Sequence, residues 1–193
     1  MKKTTLGVLA GALALLTASC FTLQSFSVLA TSVSAGGSTK AQFILHPATT
    51  TADKGYQFIV VGVPTGGDLK VGSAKWDTAG AFGATVTMPP SSSLPGAMAT
   101  AGTCNSSGLA FSSVTGVKWK AFITPGQVRD KGLVDRQLTT QVSVKATAGA
   151  GTGTTYGIFG VTGKWFDDGD GVVNAADTFG CTGIATVGLY VKA

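Results

Sequence analysis

The sequence predicts an all-β protein: a single sandwich of about eight strands with almost no helix. Two observations carry that expectation. Runs of alternating apolar and polar residues recur along the chain, separated by turns rich in Gly, Pro, Ser and Thr. Charged residues make up 12% of the 193 residues, roughly half the usual share for a globular protein.

The first residues read as an export signal. Lys2 and Lys3 precede an apolar run over 6–16 and then small residues, which is the layout of a bacterial secretory leader and too short for a membrane span. Small-residue sites place cleavage after Ser19, Ala30 or Ala35, so residues 1–35 are assigned to leader and N-terminal segment and 36–193 to the sandwich. Residues 16–20 also resemble a bacterial lipobox, which implies a lipid on Cys20 and a membrane contact through that anchor alone. Ordinary secretion, to the extracellular space or the cell surface, is the favoured expectation.

Within the domain, residues 40–46 alternate around Ala41, Phe43 and Leu45, while 56–63 are apolar on both faces, as a central strand would be. Strands over 68–76 and 83–88 follow, and the prolines at 89 and 90 are expected to end pairing, because proline lacks the ladder donor. Residues 117–123 place Val117, Trp119, Ala121 and Ile123 on one face and Lys118 and Lys120 on the other. Residues 138–146 set Leu138, Thr140, Val142, Val144 and Ala146 inward. The last two runs, 156–165 and 183–191, flank an acidic stretch and are expected to form a hairpin across it. Strands of this number and spacing suit an immunoglobulin-like or jelly-roll-like sandwich.

That acidic stretch is the densest chemistry in the chain. All nine acidic residues are Asp, and Asp167, Asp168, Asp170 and Asp177 fall within residues 164–181. Short carboxylates among glycines are how a loop surrounds a hard cation with oxygen, so calcium is the expected ligand. Residues 166–177 resemble the calcium loop of the dockerin and EF-hand families. The resemblance implies ligands from Asp168, Asp170, the Val172 carbonyl, Asn174 and Asp177, with Gly171 at the turn. The usual first ligand is replaced by Phe166, which leaves Asp167 to take its place. The flanks differ from a dockerin module, so the expectation is a calcium loop inserted at 166–181 between strands, without cohesin binding. The alternative is a solvated hairpin whose Asp and Asn side chains only close turns.

The cysteine count fits an oxidising compartment. With Cys20 in the leader region, Cys104 and Cys181 are left as a pair, and a disulfide closing about 77 residues would stabilise the fold by roughly 4 kcal/mol. Trp119 and Trp165 share faces with apolar neighbours and are assigned to the core. Trp76 lies opposite Leu69 and Val71 in strand parity and is the candidate for stacking on a ligand, a sugar face above all.

Several functions are excluded. Without Lys2 and Lys3 the chain carries 12 basic and 9 acidic residues, about +3 and scattered, too mild for nucleic-acid binding. The chain has no Glu to serve as a raised-pKa acid, one histidine (His46) without a nucleophile motif, and no phosphate-cradling loop, so no enzyme is expected. A surface so poor in charge is inclined to meet other surfaces. The leading expectation is therefore a structural subunit of a surface layer, filament or matrix, associating with itself or with other surface proteins. The alternative is a secreted carbohydrate-binding or adhesion module.

Overall fold

The computed structural model describes residues 21–47, 54–77, 86–88, 90–92, 114–129, 138–174, 176–181 and 184–193. These form thirteen strands, and no described residue is helical. In chain order they are β1 (Phe21–Val28), β2 (Ser32–Ser34), β3 (Ser38–Pro47), β4 (Lys54–Pro64), β5 (Leu69–Asp77), β6 (Val86–Met88) and β7 (Pro90–Ser91). They continue as β8 (Val117–Ile123), β9 (Val128–Arg129), β10 (Leu138–Ala146), β11 (Thr154–Phe166), β12 (Thr178–Cys181) and β13 (Ala185–Lys192). Each of the eight expected strands has a described counterpart, although residues 83–85 and 183 lie outside the described residues.

One sheet runs β1-β3-β10-β5-β6 and is antiparallel throughout. The other runs β2-β13-β11-β4-β8-β7, with β12 added beside β11 and β9 beside β4. Their facing sides enclose the main core, in which Phe43, Leu45, Ile59, Val61, Leu138, Val142, Ile158 and Leu189 are fully buried. A second apolar cluster covers the outer face of the larger sheet: Phe58, Val60, Ala121, Ile123, Val161, Trp165 and Phe179. This is why β4 is apolar on both faces. Its odd-numbered side chains from Ile59 to Val63 enter the first cluster, and Phe58 and Val60 enter the second.

Four expectations change. The described strands of the sandwich include one ahead of residue 36, since β1 pairs along β3 from Phe21↔Pro47 to Val28↔Ala41. Phe26 packs on Phe43, ring centres 4.6 Å apart, over Gly160, where a Cβ would lie 2.7 Å from the Phe26 ring. Cleavage after Ala30 or Ala35 would remove this strand; cleavage after Ser19 would keep it. Cys20 lies outside the described residues.

Pairing also resumes at the prolines, since Pro90 sits opposite Phe122 at the edge of the other sheet, where a missing donor can face away from the ladder. The apolar face of β8 turns outward onto the second cluster, while Phe122 enters the main core and Lys120 lies on the side between the sheets. Period two shows that two faces differ; it does not say which one meets the partner sheet.

Finally, Trp76 is 2% exposed and belongs to the main core, so it cannot stack on a ligand. Val142 pairs with Ala74 and Val144 with Val71, so three residues of β5 span two of β10. That bulge inverts the side-chain parity set by Leu69 and Val71 and carries Trp76 inward. Trp165 is buried as expected and stacks on Tyr56 at 4.6 Å, whereas Trp119 is half-buried against the second cluster.

Candidate metal centre

β11 is thirteen residues long and central. One edge pairs with β4 along Phe159–Trp165; the other pairs first with β13, through Thr154–Gly160, and then with β12, through Gly163–Phe166. The acidic loop, residues 167–177, is the connection from β11 to β12, so the tight hairpin across it is β11/β12 rather than β11/β13. Two apolar side chains clamp the loop to the body. Phe166 packs on the main core and Val173 on the outer cluster, beside Phe179 and Cys181. Cys181 is disulfide-bonded. Cys104, its expected partner, lies outside the described residues.

Around these two anchors the backbone is folded by its own carboxylates. The Asp167 Oδ1 accepts the Gly169 and Gly171 N–H at 3.1 and 3.0 Å. Asp168 accepts from Asp170 N at 3.3 Å, and Asp170 from Val172 N at 2.7 Å. Asp177, 3% exposed, uses both oxygens, accepting from Asp168 N at 3.1 Å and Asn174 N at 2.8 Å. Gly171 has φ 74°, a left-handed conformation that glycine adopts without the cost of a Cβ.

The consequence is convergence. One carboxylate oxygen from each of Asp167, Asp168, Asp170 and Asp177 lies within 4.8 Å of the others. Calcium–oxygen distances are about 2.3–2.6 Å, so oxygens around one ion lie no more than about 5 Å apart. The four therefore fit one coordination shell. Residues 166–177 contain no Lys or Arg to neutralise them. At that spacing each pair of carboxylates repels by roughly 1 kcal/mol even in a water-like dielectric.

Asp167, the expected replacement for the first ligand, stands with the other three carboxylates, while the Phe166 ring packs on the core. Asn174 stands differently from the ligand role assigned to it. Its amide nitrogen donates to Asp170 Oδ2 at 3.0 Å and to the Val172 carbonyl at 3.1 Å, while its Oδ1 accepts from Ala176 N at 2.7 Å. It bridges two of the expected ligands with a donor; coordination by its oxygen requires the amide to turn.

No protein-family model and no curated protein matches the chain in sequence. Among solved structures it is similar to AvmM, which catalyses macrocyclization in alchivemycin A biosynthesis, at 13% identity and TM-score 0.48, covering 91% of this chain and 90% of that one. It is similar to a variant of BcpA, the major pilin subunit of Bacillus cereus, at 11% identity and TM-score 0.45, covering 89% of this chain and 40% of the pilin. A third similarity is to the collagen-binding subdomain of the Enterococcus faecalis surface protein ACE, at 9% identity and TM-score 0.36, covering 86% and 94%. These likenesses are too distant for function to follow from them.

Proposed function

We propose that this chain is a non-enzymatic, exported structural unit of a bacterial cell surface, assembling with itself or with other surface proteins, and that the acidic loop binds calcium. The observation that carries the metal reading is the convergence of Asp167, Asp168, Asp170 and Asp177 on a loop anchored at its start by Phe166 and near its middle by Val173. A divalent ion there would relieve the repulsion among the carboxylates and join the end of β11 to the start of β12.

The assembly reading is supported by the charge-poor composition and by strand edges that no described strand covers, such as the outer edge of β1. The carbohydrate-binding alternative has lost its stacking residue, because Trp76 is in the core. Titration calorimetry of metal-stripped protein tests the metal: calcium should give saturable heat at or below millimolar concentration, and Asp170→Ala should weaken it at least about tenfold. No heat with the unaltered protein would leave the loop as a turn held by its own hydrogen bonds.

A further inference from the structure

At the opposite end of β4 from the acidic loop lies a cleft of about 410 Å³ lined by Val63, Leu69, Lys70, Val71, Lys118 and Lys120. It opens where both sheets run out of neighbours. β6 pairs only with Ala74–Trp76 of β5, and β7 only with Ala121 and Phe122 of β8. The start of β5 and the start of β8 therefore have a free edge on that side among the described residues. Lys120 spans the gap, its Nζ donating to the Val71 and Gly72 carbonyls at 3.2 and 3.1 Å. Lys70 and Lys118 are exposed at the rim, Leu69 and Val63 are buried beneath, and among the described residues no carboxylate lines the cleft.

An apolar floor within a ring of lysines fits a ligand with an apolar tip within a ring of acids. The acidic loop of this chain has that form. Val172 is 59% exposed, one of three large apolar side chains so exposed among the described residues, and it sits among four carboxylates. Loop and cleft cannot meet within one molecule. Tyr56, opposite Trp165 beside the loop, and Val63, in the cleft, are seven residues apart on β4, about 23 Å along a strand.

We infer that the lysine cleft of one molecule receives the acidic loop of a second copy, head to tail. This rests on the assembly reading above and names the contact. Because donor and acceptor surfaces are different patches at opposite ends, the contact is heterologous, and its rotation sets whether it builds rings or open chains. A bound divalent ion would lower the loop's formal charge from −4 to −2 and keep its sign.

Charge exchange tests it, with association followed by sedimentation velocity in EDTA and variants first checked by thermal melting. The cleft variant Lys70→Glu/Lys118→Glu and the loop variant Asp168→Lys/Asp170→Lys should each associate at least about tenfold more weakly than the unaltered protein. An equimolar mixture should recover association, since the Lys loop meets the Glu cleft and the unaltered loop meets the unaltered cleft. Val172→Ser, which leaves the charges in place, should weaken association about tenfold. Association that is unchanged in the variants, or not recovered in the mixture, overturns this contact and leaves assembly standing. A protein that stays monomeric at every concentration overturns both.

Discussion

The two ends of β4 solve one problem with opposite chemistry. At the loop end the backbone offers unpaired N–H groups, and Asp167, Asp168, Asp170 and Asp177 accept from them. At the cleft end the free edge of β5 offers carbonyls, and Lys120 donates to two. Each end is closed by side chains of the charge its backbone groups require, four carboxylates at one and the Lys120 ammonium at the other. The arrangement teaches that the acidic cluster is part of the fold, whether or not an ion joins it.

The strongest way to break the loop end is Asp177→Ala. Asp177 is buried, and its loss leaves the Asp168 and Asn174 N–H groups without their acceptors, at about 1–3 kcal/mol each. A total loss of roughly 3 kcal/mol is expected by chemical denaturation in EDTA, where calcium plays no part. A loss below about 1 kcal/mol would show that the loop is not held by this carboxylate.

The matching change at the cleft end is Lys120→Met, which keeps the aliphatic stem and deletes the ammonium. Two charge-assisted bonds to carbonyls disappear, along with the approach of Nζ to the Phe122 ring at 5.3 Å. Water reaches this partly exposed site and can replace the lost donor, so the expected cost is roughly 1–2 kcal/mol, smaller than for Asp177. Equal costs at the two ends would mean that solvent access does not separate them.

The strands themselves were legible because alternation survives in the primary structure. Residues 138–146 illustrate this: each side chain expected inward, from Leu138 to Ala146, is fully buried. Legibility failed where geometry depends on a partner. The β5 bulge is set by register against β10 and leaves no mark in residue order, so Trp76 was placed on the wrong face. β1 was hidden because Phe21–Val28 follows the apolar run over 6–16 and reads as its continuation. In the loop, the Asp and Gly spacing showed which carboxylates gather. The clamp did not show, because Val172 and Val173 are identical in kind and only the fold sends one to solvent and the other onto the outer cluster.

The finest comparison separates the loop as fold from the loop as metal site, and Asn174→Asp makes it. Asn174 now donates to Asp170 and to the Val172 carbonyl. Replacing the amide by a carboxylate removes both donors and adds a fifth negative group to four that already lie within 4.8 Å of one another. In EDTA this should destabilise the protein by roughly 1 kcal/mol, through lost hydrogen bonds on an exposed loop and added repulsion. With calcium present the sign should reverse, because the new carboxylate is an oxygen ligand that needs no amide rotation and adds charge to the site. A melting temperature that falls in EDTA and recovers past that of the unaltered protein in calcium would identify Asn174 as a residue at which the empty and filled loops differ. A fall of the same size in both buffers would mean that its amide serves the turn alone.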